Sequence, residues 1–257
     1  MLVLLPPSEG KTPATSGDPV DLAALSHPML ADARRRVGDA LATVSGQRNA
    51  LTALGVGPSL AKDVARNTRL WTEPTGPSAS VYTGVLYDAA GMAAWDDATM
   101  RRAHERVRVI SALWGAVSPA DLIPAYRLSM ATTLGRIGPL GAFWRNHLDG
   151  PLTAAADGTV VVDCRSSSYA AAWTPRDTPW VAVKVLRELD GKRSVVSHMA
   201  KHTRGLLTGH LMRFETAPQS PRDVADAAAG LIGVSLVDVA LEARAKGPDV
   251  LTLVVAG

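Results

Sequence analysis

Five apolar residues, Met1 to Leu5, open the chain and stop at Pro6-Pro7. A run this short, closed by two prolines, reads as a buried strand. It has no basic flank and is too short for a secretory leader. No apolar run elsewhere reaches the roughly 18 residues of a membrane span. Further strands are expected at Val107–Leu113, Thr159–Asp163, Trp180–Val185 and Val250–Val255. Between them lie helical periodicities. His27–Val44 places Leu30, Ala33, Val37, Ala40 and Leu41 on one face and Arg34-Arg35-Arg36 on the other. Asp97–Glu105, Pro139–Leu148, Ser197–Arg213 and Ser220–Ile232 also read as helices, the last capped by Ser220 with Pro221 in its first turn. The strands and helices interleave without strict βαβ order. The expectation is a mixed α/β (α+β) body, a mixed sheet flanked by helices.

At 257 residues the chain is long enough for a large core. No linker divides it, so residues 1–257 read as one domain. Residues 42–71 read as an inserted, helix-hairpin-helix-like subdomain of short helices. Cys164 is the sole cysteine, which excludes an intrachain disulfide and suits a reducing, cytoplasmic setting. A net charge of +3 permits nucleic-acid binding without requiring it, so local clusters have to decide.

Leu51-Thr-Ala-Leu-Gly55-Val56-Gly57-Pro58-Ser59-Leu60-Ala61 approximates a helix-hairpin-helix. Two glycines allow a tight turn whose amides can meet a phosphate, with Lys62, Arg66 and Arg69 adding charge. An ordinary packing corner has the same pattern. Pro7-Ser8-Glu9-Gly10-Lys11-Thr12 ends like a Walker A loop, but position 5, where that loop needs its first glycine, is Leu. Lys11 and Ser8 can still meet an anion at a strand mouth.

The stretch from Trp114 to Met130 places Asp121, Tyr126 and Arg127 in a loop after a strand, where sites often form. Arg127 can grip a phosphate or carboxylate in fork geometry with Asp121 orienting it, or the two can staple the loop. In the fourth cluster, His198, Lys201, Arg204 and Thr208 share a helical face. His198 and His202 have metal-ligand spacing, but no cysteine cluster or carboxylate accompanies them, so no metal is expected. Asp163-Cys164-Arg165-Ser166 closes a strand: Ser166 can hold an anion, and Cys164 is either activated by Arg165 or buried and inert.

These pieces, in this order, resemble the YaaA family. The matching stretches are the N-terminal strand with its Lys-Thr turn, Val81-Tyr82-Thr83-Gly84, Leu113-Trp114-Gly115 through Asp121-Leu122, Pro124-Ala-Tyr126-Arg127-Leu128-Ser-Met130, Phe143-Trp144, and Lys201 through Arg204-Gly205-Leu206. The Pro-Pro-Ser-Glu-Gly-Lys-Thr turn is longer than the family's Ser-Pro-Ala-Lys-Thr form, and the C-terminal third matches least. The resemblance implies a single α/β body with a basic cleft and a helix-hairpin-helix. It also implies DNA binding and protection of DNA, or iron homeostasis, under peroxide stress.

Two expectations follow. In the first, a DNA-binding stress protein contacts the phosphates of double-stranded nucleic acid through Gly55, Gly57, Lys62 and a cleft of Ser8, Lys11, Tyr126, Arg127, Ser166, Lys201 and Arg204. In the second, the same cleft belongs to an enzyme acting on a small anionic substrate, with its catalytic residues open. Neither needs a cofactor or a membrane.

Overall fold

The computed structural model describes residues 1–196 and 198–257, without the His198 side chain. Its centre is an eight-stranded sheet in the order β11-β12-β9-β8-β1-β3-β4, with β10 hydrogen-bonded to β9. The strands are β1 (Leu2–Leu5), β3 (Val107–Ser111), β4 (Gly115–Val117), β8 (Val161–Asp163), β9 (Trp180–Leu189), β10 (Lys192–Val195), β11 (Asp238–Glu242) and β12 (Asp249–Ala256). The two-residue strands β2 (Gly76–Pro77) and β5 (Leu122–Ile123) pair with each other, as do β6 (Thr133–Leu134) and β7 (Gly138–Pro139). β1, β3, β8, β9 and β12 run parallel, while β4, β10 and β11 join antiparallel. All of β1 is buried, as its unbroken apolar sequence requires for a strand in the middle of a parallel sheet.

The helices are α1 (Ala31–Ser45), α2 (Ala50–Ala53), α3 (Ala61–Arg66), α4 (Ser78–Val81), α5 (Val85–Ala90), α6 (Asp97–Arg106), α7 (Leu140–Ala156), α8 (Ser167–Ala170), α9 (His198–Leu211) and α10 (Pro221–Ala229). α6 lies on β1 and β3, α9 on β9, and α10 on β11 and β12. Close backbone approach joins α5 to α9: a Cβ at Gly205 would lie 2.1 Å from the Leu86 carbonyl oxygen, and one at Gly209 2.5 Å from that of Ala90. Residues 42–71 fold back on α1, with Leu54, Val64 and Leu70 buried in the same apolar cluster as the sheet.

The mixed α/β expectation is met, with local corrections. Arg34 does not join a solvated basic face: it is wholly buried. Its Nε donates to the Trp114 carbonyl at 3.0 Å, and Nη2 donates to those of Ser26 and Ala116 at 2.6 and 2.8 Å. The helix expected to end at Leu148 continues to Ala156 through Pro151. Leu148, Leu152 and Ala156 extend the buried stripe of Leu140 and Trp144, and this packing outweighs the roughly 3 kcal/mol that an interior proline costs. β9 runs past Val185 into a hairpin whose turn, Asp190-Gly191, has φ of 51° and 72° at its two residues. The Ser220 cap is present as a capping box with Asp223. The first residue of the expected Ser197–Arg213 helix, and His198 as a metal ligand, lie outside the described residues.

Candidate anion site at the switch point of the sheet

From β1 the chain crosses to β3 on one side, and from β8, the neighbour of β1 on the other side, it goes to β9. The crevice between the C-terminal ends of β1 and β8 is therefore the topological switch point, where open α/β sheets place ligands. Two turns meet there. Pro6 and Pro7 end β1 because they carry no amide donor. The chain then turns through Ser8–Gly10 and returns extended, with Lys11 bridged to Tyr82 and the Thr12 amide donating to the Val81 carbonyl at 2.9 Å. No helix follows the turn, so Gly10-Lys11 is not the end of a Walker A loop. The Ser8 hydroxyl donates to the Gly10 carbonyl and accepts from the Thr83 amide at 3.1 Å.

Lys11 is half-buried inside this turn. Its Nζ donates to the Ser8 carbonyl at 2.9 Å and the Glu9 carbonyl at 3.5 Å, and lies 4.2 Å from the centre of the Tyr126 ring. Arg127 Nη1 donates to the same Glu9 carbonyl at 3.0 Å, and Nη2 lies 3.8 Å from the exposed Glu9 carboxylate. Two cations thus share one carbonyl oxygen. Burial first and Arg127 second press the Lys11 pKa down to about 7, while Asp63 on α3 and Glu9 oppose the shift.

Behind Lys11 the hydroxyl of Ser111 accepts from the Leu113 and Trp114 amides and pairs with Tyr126 Oη at 2.6 Å, which pairs in turn with Tyr82 Oη at 3.0 Å. Tyr87 Oη donates to the Pro6 carbonyl at 2.8 Å. Burial holds Tyr82, Tyr87, Tyr126 and Tyr169, all the tyrosines of the chain, above the usual phenol range. They act as hydrogen-bonding walls and not as anions.

The proposed cleft residues do not all meet. Ser8, Lys11, Tyr126 and Arg127 come together. Lys201 instead opens onto a cleft of about 270 Å³ between residues 6–10 and 83–87, which Ser8 also lines but Lys11 and Arg127 do not. Arg204 is half-buried, and its Nη2 donates to the Val183 carbonyl at 2.9 Å. Thr208 is buried beside it, so this face of α9 turns partly to the sheet. Ser166 is exposed in the turn after β8, where it is the N-cap residue of α8 without a side-chain cap hydrogen bond. Arg165 is committed to Asp163 at 2.8 Å, and burial pushes the Cys164 thiol up to about 12, so this turn holds no reactive cysteine.

Asp121 neither orients nor staples Arg127. Its carboxylate accepts from the Ser26 and Ser118 amides and hydroxyls. What fixes Arg127 is Asn67, a buried residue that the sequence reading passed over; its neighbour Asp63 was passed over as well. Polar residues in a short helical stretch look like surface, and nothing in their spacing marks them as site residues. In the Gly55–Gly57 turn, both glycines and Lys62 are exposed, and Gly55 has a φ of 64°. Arg66 is paired with Asp63 at 3.2 Å, and Arg69 with Glu73 at 2.7 Å. Among the described residues, no group of three or more His, Cys, Asp or Glu could hold a metal, and no helix is long and apolar enough to cross a membrane.

The family model described as peroxide stress protein YaaA matches residues 1–229. A UPF0246 protein of Streptomyces coelicolor is 42% identical over 251 residues, 96% of this chain and 94% of the relative. Another, from Corynebacterium glutamicum, is 36% identical over 262 residues, 99% of this chain and 100% of the relative. A third, from Corynebacterium efficiens, is 36% identical over 259 residues with the same coverage. With its N-terminal strand, its Tyr-Thr-Gly and its Tyr-Arg-Leu-x-Met stretches all built around one crevice, the chain belongs to the peroxide stress protein YaaA family.

Proposed function

We propose that this chain serves the peroxide stress response through an anion site beside the β1 turn, which takes a small phosphate- or carboxylate-bearing ligand. The observation that carries the reading is the sharing of the Glu9 carbonyl by Lys11 and Arg127. Like charges this close repel, and a bound anion offsets that repulsion. The surrounding phenols wall the site, and its place at the switch point suits a small ligand better than a duplex. The test is calorimetry with inorganic phosphate, pyrophosphate and citrate. Saturable binding weakened by about tenfold or more in Arg127→Ala, the scale of a lost charge-assisted hydrogen bond, supports the reading. Absence of binding by all three anions contradicts it.

A second reading, binding of double-stranded nucleic acid in the cytoplasm, is favoured by one observation. The Gly55–Gly57 turn is exposed, and a Cβ at either glycine would meet nothing within 4 Å, so a phosphate can approach its backbone. Main-chain amides and Lys62 in this turn would reach phosphates and not base edges, so affinity for a duplex should fall linearly on a log–log plot against salt and depend little on sequence. Fluorescence anisotropy with a labelled duplex tests this. A folded Gly55→Val, Gly57→Val double variant that binds as tightly as the native chain removes the hairpin from the reading.

A further inference from the structure

We propose that the ε-amine of Lys11 is a nucleophile that forms an imine with a small aldehyde or keto acid whose anionic group is held by Arg127. This deepens the anion-site reading and rests on it. Lys11 is fixed by two main-chain carbonyls and the face of Tyr126, and among the described residues no carboxylate lies within salt-bridge distance of its nitrogen. The two carbonyls and the ring face hold the amine in place and favour its charged form, while burial and Arg127, held on the same Glu9 carbonyl, oppose it. The charged groups that face it are Arg127 from the loop after β5, Asp63 from α3 and Glu9 from its own turn, with the neutral phenols of Tyr82 and Tyr126 behind. Arg127 is the stronger influence and the only cation among them. It therefore has two effects: it disfavours the ammonium form and it offers a fork to the substrate's carboxylate or phosphate.

A lysine desolvated next to another cation is a general route to an amine that is nucleophilic near neutrality. The depressed pKa of about 7 agrees with this geometry. In the reaction the neutral amine adds to the carbonyl carbon. A C–N bond forms as the carbonyl π bond opens, protons pass from nitrogen to oxygen, and water departs to leave the imine. No oxidant or reductant enters, and hydrolysis reverses the step. The remaining lysines lack this setting. Lys201, on the neighbouring cleft, is exposed.

The test uses the full chain with glyoxylate as the probe. The imine is trapped by cyanoborohydride, and adducts are mapped by peptide mass spectrometry across a pH series, with phosphate binding measured by calorimetry on the same samples. The expected result is trapping at Lys11 about a hundredfold faster than at exposed lysines at neutral pH, because an ordinary amine of pKa about 10.4 is almost wholly protonated there. The rate should be half-maximal near pH 7. Lys11→Arg should lose the adduct, because a guanidinium forms no imine under these conditions. Trapping spread evenly over the lysines, or led by Lys201, with phosphate still bound overturns the imine proposal and leaves the anion site standing. Loss of phosphate binding in the native chain, with no selective adduct, overturns both.

Discussion

Asn67 and Arg127 exchange two hydrogen bonds: the Arg127 amide donates to the Asn67 side-chain oxygen at 2.9 Å, and the Asn67 amide group donates to the Arg127 carbonyl at 2.9 Å. The same Asn67 nitrogen also donates to the Ser45 hydroxyl at 3.1 Å. One fully buried carboxamide thus ties the helical segment after α3 to the loop that presents the guanidinium.

Asn67→Ala should therefore act at a distance. It leaves the Arg127 main-chain amide and carbonyl without partners in a buried place, at a cost of about 2–4 kcal/mol in unfolding free energy. It removes no charge from the site, yet it frees Arg127 to move. The expected outcome is a lower denaturant midpoint together with weaker phosphate binding under conditions where the variant is fully folded. Full phosphate affinity in the folded variant would show that Asn67 does not position the guanidinium.

Lys11→Met tests the cost of the buried ammonium. The folded pKa is about 7 and the unfolded one lies near 10.4, so between these values the unfolded chain binds more protons. Native stability then rises with pH across that window, and the cost of charging Lys11 is fully present below it. Methionine keeps the apolar stem and removes the titration. In anion-free buffer, its melting temperature should exceed the native one at about pH 6, with the gap closing towards about pH 10. A gap that does not change with pH would mean that the amine titrates normally.

The strands that build the crevice were legible because buried parallel strands are almost purely apolar: Leu2–Leu5, Val107–Ser111 and Val161–Asp163 lie within or nearly within their expected spans. Ser8, Lys11, Tyr126 and Arg127 were legible as a group through the turns that carry them. Arg34 was not, because an Arg-Arg-Arg run looks solvated until the helix turns its first member towards three main-chain carbonyls. Asn67 was not, because its role depends on a partner far along the chain. The β9–β10 hairpin was legible and was missed: Asp190-Gly191 between strand-like runs signals a two-residue turn with positive φ at both positions. The separation of Lys201 from Lys11 depends on how α9 lies against the sheet, which helical periodicity does not reveal.

Cys164 should be silent in the native protein. It is fully buried, and its thiol is pushed up to about 12, against which nearby Arg204 has only a secondary effect. Since the thiolate is the reactive form, a disulfide reagent at about pH 8 should release no colour until the chain is unfolded, and then one equivalent. Rapid reaction in the folded state would mean that Cys164 is activated by Arg165 and not inert.

Gly205 sets the distance between α9 and α5, and with it the width of the cleft that Lys201 overlooks. Residues 205 and 209 are four apart and so lie on one face, where the backbone of α5 rests directly on α9. A methyl group at 205 would overlap the Leu86 carbonyl and Ala89, and rigid main chain cannot yield as a side chain does. Alanine gains about 1 kcal/mol over glycine in helix propensity, but forcing the helices apart costs typically about 1–3 kcal/mol. The overlap here includes main-chain atoms, so the larger part of that range should apply and Gly205→Ala should destabilise. Leu86 and Tyr87 would move with α5, and Tyr87 is hydrogen-bonded to Pro6, so the β1 turn should feel the change. Gly141→Ala is the matched control: it lies in α7 with nothing within 4 Å of the added carbon, and should be neutral or stabilising. Chemical denaturation of both variants decides the matter, since equal tolerance at 205 and 141 is incompatible with helices packed as closely as these.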